Sequence, residues 1–205
     1  MWASFSFGGS EFAGPQLVGL LIAISFAAGL NVYATVATLG LLAHTRWLEL
    51  PLGLHLLTNW WVIGASIALF AIEFFADKVP AFDLFWNAIH TFVRIPVAAL
   101  IAYNATSQLS PQMQMLATVA GGLIALAAHS SKTAARVAVT PSPEPFSNIA
   151  LSAGEDTLAV FLTWMATQHP FVGAGIVVAI LVLIVVMARW IVRTIVRAFK
   201  PIFAA

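Results

Sequence analysis

Glu155 and Asp156 stand side by side within residues 146–167, a stretch otherwise apolar enough to cross a bilayer. As a helix this stretch would carry them about 13–15 Å from its start, near the bilayer midplane. Two neighbouring carboxylates at that depth cannot both stay charged without a cation, water or a retained proton. Asn148, Ser152 and Thr163 continue the same stripe at steps of three and four. Intramembrane acids read first as ion or proton sites, and the alternative is a salt-bridged pair that fastens helices together.

Cations are available nearby. Residues 111–139 carry Thr118, Gly122, Ala125, His129, Lys132 and Arg136 at 4-3-4-3-4 spacing, which is one helix face. Its first half is small and invites close approach by a neighbour. Its second half is cationic and titratable, so His129 and Lys132 are expected to pair with Glu155 and Asp156. Arg136 is expected at the interface, snorkelling to water.

A third cluster comprises Glu73, Asp77, Lys78, Asp83, His90 and Arg94. Glu73 and Asp77 share a face, as do His90 and Arg94. Asp77, Lys78 and Asp83 flank Pro80, and solvation in a loop would satisfy them. Glu73 and Arg94 lie deeper, where a Glu73–Arg94 or Arg94–Asp156 pair would stabilise the bundle. Asn31, Thr35 and Thr38 recur at helical spacing, with Ser25 and Gly29 as a small-residue contact. Arg189, Arg193 and Arg197 form an i, i+4, i+8 stripe suited to anionic lipid headgroups. His44, His55 and His169 show no metal-ligand spacing.

The elements that must hold these groups follow from composition. Of 205 residues, 61% are hydrophobic and 8% charged, against about 45–50% and 25% in soluble domains. So few charges cannot build a water-facing surface. Six apolar stretches predict an all-α, polytopic integral membrane protein: 15–43, 57–76, 84–107, 111–139, 146–167 and 170–199. Pro96 predicts a kink in the third. The whole chain reads as one transmembrane domain, with halves at 15–107 and 111–199. Ala27-Ala28 and Ala127-Ala128 open similar small-residue runs in the two halves, as a 3+3 inverted repeat would. Chance similarity among alanines is the competing explanation.

Several classes fall away. A net charge of +1 supplies no basic patch for nucleic acid. The absence of cysteine excludes disulfides, thiolate nucleophiles and cysteine metal sites. The first sixteen residues lack Lys and Arg, so the first apolar stretch is expected to remain as a membrane helix. Lys78, Lys132, Arg136, Arg189, Arg193, Arg197 and Lys200 lie toward or beyond the ends of even-numbered stretches, whereas the opposite loops hold only Arg46. By the positive-inside rule both termini are cytoplasmic. The loop TPSPEPFSN must be a stiff connector, with Ser147 or Asn148 as an N-cap.

The runs AGLNVYATV, IEFFADKVPAFDLFWNAIHTFVRIP, AGGLIALAAHSSKTAAR and TPSPEPFSN…SAGEDTLA resemble the bacterial membrane-protein family DUF4126, a domain of unknown function. The resemblance runs from about Gly19 to Ala166, and implies a bacterial inner-membrane protein. It implies no activity.

Three functions fit these residues. The first is a small transporter or channel whose ion- or substrate-binding groups are Glu155, Asp156, His129, Lys132, Asn148, Ser152, Glu73, Arg94, His90 and Asn31. The second is a membrane scaffold or lipid-binding component, partnered by the bilayer or by further copies of itself. The third is an intramembrane enzyme on lipid or isoprenoid phosphate, using His90, Arg94, Lys132 and Arg136, with Asp77 or Asp83 on a metal. No HExxH or GxSxG motif supports it. No cofactor is called for.

Overall fold

The computed structural model describes residues 14–78, 80–139 and 146–199, without the side chains of 80–84, 139, 148, 195, 198 and 199. Every regular element among them is helical: α1 (Gly14–Leu30), α2 (Val32–His44), a 3-10 segment (Leu52–Thr58), α3 (Trp60–Ala76), α4 (Pro80–Ala105), α5 (Pro111–Val139), α6 (Phe146–Gln168) and α7 (Pro170–Phe199). Three are long and apolar enough to cross a membrane: Phe85–Ala105, Pro111–Ala138 and Pro170–Thr194. Their large apolar side chains face outward, among them Phe92, Leu116, Val178, Val182 and Val186. Contiguous exposed apolar surface on this scale needs lipid, not water. The protein is an all-α membrane protein.

α1 is the centre. It is apolar on every side, as a helix enclosed by others must be, and it packs against α4, α5, α6 and α7. A Cβ on Gly29 would lie 2.5 Å from the Ala125 carbonyl oxygen, and one on Gly121 would lie 3.0 Å from Ser25 Oγ. α1 and α5 are therefore in backbone contact along Ser25-Gly29 and Gly121-Ala125, the geometry small residues permit.

The first apolar stretch is not one helix. Asn31 takes an extended conformation, with φ −150° and ψ 102°, and separates α1 from α2. Its side-chain oxygen accepts from the Ala34 amide at 2.9 Å, making it the N-cap of α2. The second stretch also differs: the 3-10 segment precedes α3 at an angle of 66°, and Asn59 caps α3 by accepting from the Trp61 amide. α4 begins four residues earlier than expected and continues through Pro96. α5 and α7 match the expected bounds at both ends. α6 starts at Phe146, so Ser147 and Asn148 lie inside its first turn rather than ahead of it. Residues 140–145 of the proline-rich connector lie outside the described residues. At Ser131, the position matching Asn31 in the proposed repeat, α5 is unbroken.

Candidate functional site

The awkward residues converge. Glu73 lies in the last turn of α3 and Asp77 at its C-cap. α4 contributes Asn87, His90, Thr91 and Arg94, and α5 contributes His129, Lys132 and Arg136. From α6 come Ser152, Glu155 and Asp156, and the break between α1 and α2 adds Leu30 and Asn31. All four carboxylates and the three long cations are buried.

Arg94 pairs with Glu73. Lys132 Nζ sits 3.1 Å from Asp77, 3.4 Å from Glu73 and 3.5 Å from Glu155. It also donates to the Leu30 carbonyl oxygen at 3.3 Å, one of the backbone acceptors at the end of α1. Arg136 Nη2 donates to Glu155 at 2.6 Å and to Asp77 at 3.0 Å, and Nη1 donates to the Asp77 carbonyl oxygen. Arg136 thus closes the C-terminal end of α3, where a cation meets the negative end of the helix dipole. Breaking one member of such a buried network strands its partners, at a cost of about 3–5 kcal/mol.

The histidines are positioned by hydrogen bonds of their own. Arg94 Nη1 donates to His129 Nδ1 at 3.0 Å, so that nitrogen carries no proton. His129 Nε2 then donates to Thr91 Oγ1 at 2.7 Å. His90 Nδ1 lies 2.8 Å from the Trp86 carbonyl oxygen and must donate to it. Its Nε2 lies 3.0 Å from the Tyr33 hydroxyl, from which the neutral ring accepts. With both imidazoles neutral, the cluster holds three cations (Arg94, Lys132, Arg136) against four carboxylates (Glu73, Asp77, Glu155, Asp156).

Asp156 is the odd one. Its Oδ1 accepts from the Asn31 amide at 2.8 Å. Its Oδ2 is buried without a hydrogen-bond partner among the described residues, as are Ser152 Oγ, Glu73 Oε2 and Arg94 Nε. Asp156 forms no ion pair there, whereas Glu155, its chain neighbour, is held by two cations. Adjacent helical positions point about 100° apart, and here that angle sends one carboxylate to α5 and the other to the helix break.

Several expectations are corrected. Arg136 does not snorkel, because its side chain is wholly buried between Glu155 and Asp77. Asp77 is not solvated, and Lys132 and Arg136 hold it inside. His129 contacts Thr91 and Arg94, not the α6 acids. Of the two pairs considered for Arg94, Glu73 is the partner. Asn31 and Asp156 bond side chain to side chain, so Asn31 does more than pack helices. Ser152 is buried beside the acids, while the side chains of Asn148 and Asp83 lie outside the described residues. Arg189, Arg193 and Arg197 are exposed along α7, far in sequence from the cluster and joined to it by no described contact.

Sequence reasoning passed over Tyr33, Asn87 and Thr91. A signal existed for the last two. Asn87, His90, Thr91 and Arg94 follow 3-1-3 spacing, one polar stripe on α4. Arg94 Nη1 donates to Asn87 Oδ1 at 3.0 Å, joining the two ends of that stripe.

The family model described as a domain of unknown function, DUF4126, matches residues 18–190. The chain belongs to this family. Every residue of the DUF4126 ion cluster, from Leu30 to Asp156, falls inside the matched span, whereas Arg193 and Arg197 fall beyond it. No curated protein and no solved structure matches the chain.

Proposed function

We propose that the protein is a small membrane transporter for an ion or small solute, with Asp156 as the exchangeable group at the break between α1 and α2. The bond from Asn31 to Asp156 carries this reading. A helix interrupted within an apolar stretch frees backbone groups, which membrane proteins tolerate where the break is buried in protein or serves a site. Here the freed Leu30 carbonyl oxygen meets Lys132, and the residue that caps α2 also grips the surplus acid. A proton or monovalent cation on Asp156 balances four carboxylates against three cations. Among the described residues no three His, Asp or Glu side chains gather as a metal ion would need, which favours a singly charged ion.

In this mechanism the pairs Arg94–Glu73, Lys132–Asp77 and Arg136–Glu155 form the rigid frame. Charge exchange at Asp156 changes the hold of Asn31 on α6, and the break between α1 and α2 is the element that can settle in two arrangements. The expected setting is six spans in a bacterial inner membrane with both termini cytoplasmic, following the positive loops.

Proteoliposomes test it. Purified protein should dissipate an imposed pH or monovalent-cation gradient, and Asp156→Asn should abolish the flux while leaving the fold intact. Equal flux from wild type and Asp156→Asn would overturn the assignment. A static scaffold is the second reading, favoured by the dense pairing of Lys132 and Arg136. It predicts no flux for any ion or small solute.

A further inference from the structure

α3 packs chiefly against α2, and a groove of about 500 Å³ remains between α3 and α6. Phe70, Phe74, Val160, Phe161 and Trp164 line it, with Asp156 as its charged residue. Phe161 and Trp164 are each 39% exposed, so the groove opens sideways on the outer surface of the helices. Asp156 is buried, and its Oδ2 has no partner among the described residues. One of its rings, Phe74, already carries a cation. Lys78 Nζ lies 2.9 Å from the centroid of the Phe74 ring and donates to the Phe74 carbonyl oxygen at 2.7 Å. Among the described residues Lys78 forms no ion pair.

We propose that this groove binds a lipophilic monovalent cation, with its apolar body against the aromatic rings and its charge against Asp156. Aromatic faces attract cations as well as apolar surface, and the unpaired carboxylate oxygen supplies the counter-charge. A neutral acyl chain would fill the volume but leave that oxygen unpaired, and an anion would be repelled. Lys132 on α5 is committed to Glu73, Asp77 and Glu155. Lys78 occupies the Phe74 ring that the ligand would use, so removing its ammonium strengthens ligand binding. The inference rests on reading Asp156 as the exchangeable group.

Equilibrium binding of radiolabelled tetraphenylphosphonium to the full chain in detergent tests it, with tetraphenylborate, of similar shape and opposite charge, measured in a separate titration. Saturable binding of the cation is expected, and none of the borate. Affinity should fall about tenfold or more in Asp156→Asn and severalfold in Trp164→Ala, and rise severalfold in Lys78→Gln. Binding unchanged in Asp156→Asn, or equal binding of the borate, overturns the proposal. Should Asp156→Asn fail to fold, the borate comparison, Trp164→Ala and Lys78→Gln decide the matter alone. Absent binding alongside Asp156-dependent proton flux sinks the groove but leaves transport standing. Loss of both sinks both.

Discussion

Asn31 joins α6 to the broken helix by donating to Asp156 Oδ1 at 2.8 Å while its own side-chain oxygen caps α2 through the Ala34 amide. One amide thus holds the break open and holds the acid in place. Asn31→Ala should cost about 1–2 kcal/mol from the lost cap, more with a stranded carboxylate. Asn31→Asp brings a second carboxylate against Asp156, and protonation relieves that repulsion. Its thermal midpoint in detergent should therefore recover as the pH falls from 8 to 5, relative to wild type. A deficit that does not shrink on acidification would show that the two groups do not meet.

The adjacent acids should separate by phenotype. Glu155 is held by Lys132 and Arg136, so Glu155→Gln weakens the frame and lowers stability, by up to about 3–5 kcal/mol. Asp156 has no cation partner among the described residues, so Asp156→Asn keeps the bond to Asn31 and most of the stability. Thermal unfolding and flux measured on the same preparations test this. Equal destabilisation by both would contradict the division of labour.

Arg136→Met leaves Glu155 and the C-terminal end of α3 without their donor. A loss of about 3–5 kcal/mol is expected. Combining it with Glu155→Leu should recover part of that loss, because an apolar pair replaces an ionic one at lower desolvation cost. Urea unfolding of the single and double variants gives the coupling energy, and strict additivity would deny the contact.

Gly29→Ala drives a methyl to within 2.5 Å of the Ala125 carbonyl oxygen, backbone that cannot rotate away. The cost should be about 1–3 kcal/mol. Gly154→Ala meets nothing within 4 Å, and in a helix interior it should stabilise by about 0.5–1 kcal/mol. Opposite signs for two identical substitutions, read by thermal midpoint, check the α1–α5 contact.

The exposed arginines on α7 are expected to recognise anionic headgroups at about 1 kcal/mol each. Replacing Arg189, Arg193 and Arg197 by Gln should remove any stabilisation conferred by phosphatidylglycerol over a zwitterionic lipid. The midpoint in detergent alone should not change.

The sequence by itself determined the class and most of the elements. α5 and α7 were legible to the residue because each opens on proline and no further proline interrupts it. That acids and bases spread over α3 to α6 must meet followed from the cost of solitary charge in hydrocarbon. Tertiary structure decided who meets whom. The break at Asn31 left no mark in FAAGLNVYATV, where apolar and small residues continue on both sides and no proline intervenes. Its stability comes from Lys132 on the Leu30 carbonyl and Asp156 on the Asn31 amide, contacts 102 and 125 residues away along the chain. Arg136 looked interfacial because position within a helix gives depth only along that helix. Its burial follows from the end of α3 and from Glu155 arriving at the same height. Periodicity says which side chains share a face. Only the packing of faces against one another fixes which charge finds its partner and leaves Asp156 without one among the described residues.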